Sequence, residues 1–167
     1  MMTPVRTLIL LASTSTLLFA ASPIARSQGL VTEKAISGDM AQAMVQGAIE
    51  KCRAENYPIA VSVLDADGQL KAFLRDDKSG PQTIDVSKRK AYTALILGMP
   101  SIDVVKFWVK QGPIPPVIEG TIALGGGLPV KVDNQTIGAI GVSGAPGQDK
   151  DEACAAAGIA KVADKLK

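Results

Sequence analysis

Apolar and polar positions along this chain follow two different periods, and the changes of period mark its elements. In the stretch Glu33 to Glu55, Ala41, Met44, Val45, Ala48, Ile49 and Cys52 fall at i, i+3, i+4, i+7, i+8 and i+11. That spacing is one apolar stripe of a helix. Asn56 and Pro58 end it. Ile59 to Leu64 (IAVSVL) and Gln69 to Arg75 (QLKAFLR) read as paired strands, because Asp65-Ala66-Asp67-Gly68 between them carries the Asp-Gly pair of a tight hairpin. After the polar loop Asp76 to Pro81, Thr83 or Asp85 caps a second helix that runs to Leu97. Gly98-Met99-Pro100 stops it. Ser101 to Gln111 predicts a shorter helix, and Gly112 to Pro116 (GPIPP) forbids regular structure.

Three short strands are expected next: Thr121 to Leu124, Leu128 to Val132, and Gln135 to Ser143, the last two joined by Asp133-Asn134. A final helix is expected from Asp149 to Leu166. Its first turn holds Asp149, Asp151 and Glu152, and Lys161, Lys165 and Lys167 lie at its end, a polarity that suits the helix dipole. The order α-ββ-αα-βββ-α predicts an α+β fold, a central antiparallel five-stranded sheet flanked by helices.

The N-terminus departs from this pattern. Leu8 to Ala21 is apolar and uncharged, and Ala25-Arg26-Ser27 offers small residues for cleavage. Residues 1–27 therefore read as a signal peptide, with 28–167 as a single domain in the periplasm or outside the cell. The apolar run is shorter than the roughly 20 residues a spanning helix needs, so no stable membrane insertion is expected after cleavage. Cleavage would remove Arg6 and Arg26 and no acid. The basic residues then fall from 18 to 16, equal to the 16 acids. A neutral domain lacks the basic footprint of a nucleic-acid binder. With 47% apolar residues and only 4% aromatics, the core must be aliphatic.

Gly125-Gly126-Gly127 is the most conspicuous local signal. A phosphate-gripping loop would sit between a strand and a helix. Here Leu128 to Val132 follows, a strand, and no Gly-Lys-Ser/Thr is present. Glycine within a sheet instead admits a close neighbour. Gly138 and Gly141 in the next strand point to opposite faces. Either a helix and a subunit pack closely there, or one gap holds a small or flat ligand. The second helix offers three faces: Ile84, Ser87, Ala91, Ala94, Leu95 and Gly98; then Val86, Lys90, Thr93 and Leu97; then Tyr92, Ile96 and Met99. An end so apolar all round predicts burial on every side, by sheet, subunit or ligand. Ser87-Lys88-Arg89-Lys90 reads as a solvated charge run, apart from Lys90, which shares a face with Thr93.

The hairpin AVSVLDADGQLKAFLRDD, the helix start SKRKAYTA, the segment LGGGLPVKV and the run TIGAIGVSGAPGQDKDEACAAAG together resemble the GlcG/HbpS-like haem-binding family. The resemblance covers the whole mature chain. It implies an α+β domain that assembles as a homo-oligomer and binds haem or a related tetrapyrrole. Other members occur in small hydroxy-acid metabolism. This chain contains no histidine, which leaves Tyr, Met, Cys or a weak oxygen ligand for an iron centre. Tyr92 is the best-placed tyrosine, and the resemblance suggests Thr93 as a hydroxyl near iron. The candidate ligand-binding set is Lys90, Tyr92, Thr93, Leu97, Gly125, Gly126, Gly127 and Gly138, with Tyr92 and Thr93 as metal candidates. The carboxylates read as turn and cap residues.

Cys52 and Cys154 lie on apolar stripes of the first and last helices. They form a disulfide if those helices pack side by side, or else remain two buried thiols. Three functions follow. One is an exported oligomeric module that binds haem between the glycine strands and the second helix. Another is an enzyme or accessory protein for a small hydroxy acid such as glycolate, with Lys90 holding the anion. The third is a purely structural oligomer.

Overall fold

The computed structural model describes residues 29, 32–112 and 118–167. The expected signal peptide lies outside these residues, as does most of the GPIPP segment. Among the described residues no single helix is long and apolar enough to cross a membrane.

The elements, in order, are α1 (Gly38–Ala54), β1 (Ala60–Asp65), β2 (Leu70–Arg75), α2 (Thr83–Leu97), α3 (Ser101–Gln111), β3 (Gly127–Val132), β4 (Gln135–Ser143), α4 (Gln148–Ala160) and a 3-10 turn, Ala163–Lys165. Helix α1 starts at Gly38 rather than at the expected Glu33, because Ser37 caps it by accepting a hydrogen bond from Met40 N at 3.2 Å. Helix α4 stops at Ala160, and the tail expected to continue it turns as 3-10 instead.

Four strands form one antiparallel sheet in the order β2-β1-β4-β3. The expected fifth strand, Thr121 to Leu124, does not form, so the element order is α-ββ-αα-ββ-α. The cause is local. Side chains satisfy the backbone of this stretch in place of a ladder. Ile122 N donates to Thr93 Oγ1 at 2.9 Å, and Arg89 Nη2 donates to Thr121 O at 2.6 Å.

The sheet is covered on both faces. One face packs against α1 and α4 around Met44, Ile49, Val61, Ile140 and Val142. The other carries α2, with Leu64, Ala91, Ala94 and Ala139 between them. The glycines set how close α2 comes. Gly127, Gly141 and Ser62 are cross-strand neighbours in one row. A methyl group at Gly141 would strike Ser87 O and Ala91 N, and one at Gly127 would strike Lys90 O. Ser62 Oγ meets Ser87 Oγ at 2.9 Å across the same contact. Gly138 faces the opposite side, where the Ile36 side chain fills its space. Of the face expected on the sheet, Ser87, Ala91 and Ala94 are fully buried, whereas Ile84 is exposed.

On the far side Gly47 and Gly158 bring α1 and α4 together, a methyl at Gly158 meeting Met44 O. Cys52 and Cys154 are joined by a disulfide, with a Cα–Cα distance of 5.7 Å. The helical stripes therefore do bring the two sulfurs together.

Candidate functional site

The space between the glycine strands and α2 belongs to the protein itself. Gly125 N donates to Gln148 Oε1 at 2.5 Å, Gly127 N donates to Ser101 Oγ at 2.8 Å, and Gly126 O accepts from Val142 N at 2.9 Å. The triple glycine thus offers no open slot and no spare amides at its two ends. Gly125, Gly126, Gly127 and Gly138 are all buried. Their role is the close approach of helices and side chains.

Lys90 is likewise taken. It is 3% exposed, donates to Val142 O at 3.1 Å and pairs with Asp151 Oδ2 at 2.6 Å. The other Asp151 oxygen accepts from Ala145 N at 3.0 Å. Burial raises the Asp151 carboxyl above its usual range, outweighing the attraction of Lys90 and the hydrogen bonds that lower it. Lys90 therefore ties α2 to β4 and the start of α4, and its own charge is spent on Asp151 rather than on an anionic ligand. Thr93 is also committed. Its hydroxyl donates to Arg89 O at 2.9 Å, has Ile122 O at 3.2 Å, and accepts from Ile122 N. It is fully buried and pins the 121–122 segment, so it does not face a ligand.

Tyr92 and Leu97 remain, both half-buried on the outer side of α2. The Tyr92 ring lies between two turns. Gly68 of the β1–β2 hairpin faces its Cδ2–Cε2 edge, and Gly120 faces its Cδ1–Cε1 edge. Both glycines have positive φ, at 77° and 80°. A Cβ there would stand about 3.1 Å from the ring, so both glycines are needed for the clasp. The Tyr92 hydroxyl makes no hydrogen bond among the described residues. Along the helix beyond it, Ile96 is 40% and Met99 42% exposed, and Ile118 before the Gly120 turn is 40% exposed. The third face of α2 is therefore left partly exposed among the described residues, contrary to burial on every side.

Arg89 completes this surface, and sequence reasoning passed over it as part of a charge run. One helical turn before Tyr92, it reaches Thr121 O, with Asp85 Oδ2 at 3.7 Å from Nη1. Its side chain is 41% exposed. The spacing of Arg89 and Tyr92, three apart on a helix, was the available signal. The arrangement is a phenol whose hydroxyl has no hydrogen-bond partner among the described residues, a guanidinium three residues before it on the helix, and exposed apolar side chains. Such a surface suits a flat, largely apolar molecule with an acidic edge, and phenol oxygen is an established iron ligand. Among the described residues no cluster of three or more Cys, Asp or Glu could hold a bare metal ion.

Residues 36–160 match the family model described as "Haem degrading protein HbpS-like". The chain belongs to the HbpS-like family. Protein GlcG of Escherichia coli strain K12 is 36% identical over 113 residues, which is 67% of this chain and 84% of that protein. An uncharacterized 15.0 kDa protein of Citrobacter freundii is 34% identical, over 71% of this chain and 84% of its own. Among solved structures, a double mutant of HbpS from Streptomyces reticuli superimposes with a TM-score of 0.76 at 34% identity, covering 84% of this chain and 97% of that one. A PduOC–haem complex shares the fold, with a TM-score of 0.69 at 23% identity, covering 77% and 95%. The α+β fold of this HbpS-like chain, helices on an antiparallel sheet, is that of HbpS.

A second concavity lies elsewhere. An open cleft of about 420 Å³ is lined by Arg53, Asn56, Tyr57, Asp76 and Lys78 among others. Arg53 Nε and Nη2 donate to Asp76 Oδ1 at 2.9 and 2.5 Å, and Asp76 is 7% exposed.

Proposed function

We propose that this HbpS-like chain is an exported, oligomeric protein that binds haem or a related tetrapyrrole, for sequestration or sensing. The ligand rests on the outer surface of α2. The ring lies against Ile96, Met99 and Ile118, the Tyr92 phenol turns toward the iron, and Arg89 reaches an acidic substituent. The observation that carries this reading is the Tyr92 hydroxyl, which has no protein partner among the described residues, on a helix face where Ile96 is also exposed. Haem, when bound, supplies the iron centre. The chain's own residues orient the ring, shield one of its faces from water and hold its charged edge. Export is supported by the uncharged apolar run of residues 8–21 and by the Cys52–Cys154 bridge, since such bonds persist in oxidising compartments.

Titration of the mature protein with ferric haem, followed by its visible spectrum, tests this directly. Saturable binding at micromolar haem is expected, and the absence of a saturable shift would remove the reading. Following the loaded protein over time with ascorbate separates holding the ring from degrading it. The hydroxy-acid reading loses Lys90 as its anchor. The 420 Å³ cleft beside Arg53 is large enough for a small acid. A thermal-shift screen with glycolate tests it, because a bound ligand must stabilise the fold.

A further inference from the structure

Each edge of the sheet presents backbone groups to the outside, and the two edges differ. The β3 edge contains Pro129, which has no N–H to offer. The β2 edge, Leu70–Arg75, contains no proline and no glycine. It exposes Leu70, Phe73 and Leu74 at 48%, 37% and 38%. An edge that is unpaired among the described residues and exposes apolar side chains is a template for another strand.

The hydrogen-bond alternation says which groups are free. Asp76 N donates to Ile59 O, and Ala60 stands opposite Arg75, Val61 opposite Leu74, and Ser62 opposite Phe73. In an antiparallel pair, bonded and non-bonded positions alternate. Leu74 therefore bonds inward to β1, while Phe73 and Arg75 direct their N–H and C=O outward.

We propose that a second copy of this chain occupies this edge, pairing β2 with β2 antiparallel about a two-fold axis at Leu74. The proposal builds on the oligomer in the functional reading and is independent of haem. The register follows from charge. Centring the pair on Phe73 would set Lys71 directly against the partner's Arg75, and like charges opposite one another destabilise a sheet. Centring it on Leu74 places Phe73 against Arg75 in both directions and joins their outward backbone groups. It also brings Lys71 toward the partner's Asp77. Both residues are exposed, and neither forms an ion pair among the described residues. Beside the edge, a groove of about 550 Å³ between α1 and β2, with Gln42, Ala43 and Gln46 on its helix side, leaves room for the partner's Leu74. The product is a closed, isologous dimer with a continuous eight-stranded sheet.

Leu74→Cys tests the register. Opposed non-bonded residues in such a pair stand about 4.5 Å apart at Cα, within the range a disulfide spans. Air oxidation should convert Leu74→Cys to a covalent dimer on a non-reducing gel, while Lys131→Cys on the opposite edge stays monomeric. Sedimentation of the unmodified mature protein is read beside it. Lys71→Asp and Asp77→Lys should each weaken the dimer, and the double swap should restore it. A protein that sediments as an oligomer, with Leu74→Cys uncrosslinked, would overturn this surface and leave oligomerisation standing. A monomer at all concentrations would overturn both.

Discussion

Lys90 and Asp151, 61 residues apart in the chain, meet in a buried ion pair of 2.6 Å, each about 3% exposed. The pair joins the middle of α2 to the first turn of α4 across the glycine turn. Removing one partner leaves a charge without compensation in a dry interior. Lys90→Met should cost about 3–5 kcal/mol in urea unfolding. Lys90→Met combined with Asp151→Leu should recover much of that loss. A single-variant loss well under 1 kcal/mol would mean that the pair does not anchor the fold.

Gly141 is, with Gly127, one of the two points where the sheet comes closest to the α2 backbone. The neighbouring atoms are helix backbone, Ser87 O and Ala91 N, which cannot rotate aside. Gly141→Ala should therefore destabilise the protein by roughly 1–3 kcal/mol or more through overpacking. Thermal unfolding measures it. An unchanged melting temperature would show that α2 is not held there.

These two contacts show what the sequence disclosed and what it concealed. The hairpin was legible from Asp67-Gly68, and α3 from the stretch left between Gly98-Met99-Pro100 and the GPIPP segment. The two helical stripes left the cysteines open between a disulfide and two buried thiols, and the packing of α1 on α4 decides for the disulfide. The meaning of the glycines was left open between close packing and a ligand gap, and only the position of α2 decides for packing. Thr121 to Leu124 looked like a strand because strand propensity cannot register that Thr93 and Arg89 satisfy its backbone. No local pattern joins Lys90 to Asp151. Arg89 was hidden in a charge run, since exposure alone separates it from its neighbour Lys90.

The Cys52–Cys154 bridge spans a sequence separation of 102 residues, and both cysteines are buried. In the chain-entropy model a loop of that length contributes on the order of 4–5 kcal/mol. Replacing both cysteines by alanine should lower the unfolding free energy by about that amount. A loss under about 1 kcal/mol would contradict the staple's role.

Glu152 carries the other perturbed acid on α4. Burial raises its carboxyl, the negative charge of Asp103 adds to the rise, and Lys106 opposes it only in part. Its Oε2 is buried without a hydrogen-bond partner among the described residues. A raised folded-state value means that the proton is held more tightly in the fold. The associated stability is present below the usual glutamate range and is lost as pH rises through the folded value. Glu152→Gln should thus raise the melting temperature at pH 7 and bring no gain at pH 4. Equal effects at both pH values would contradict the assignment.

The proposed ligand surface depends on one oxygen. The Tyr92 hydroxyl has no protein partner among the described residues, so Tyr92→Phe should leave the melting temperature unchanged and isolate the ligand contact. The deciding measurement is a side-by-side ferric haem titration of the wild type and Tyr92→Phe, recording affinity and visible spectrum. The expected result is saturation in the wild type, loss of the phenolate-to-iron charge-transfer band in Tyr92→Phe, and binding weaker by about tenfold, equivalent to ~1.4 kcal/mol. Superimposable spectra and equal affinities in the two proteins would contradict a Tyr92-centred site.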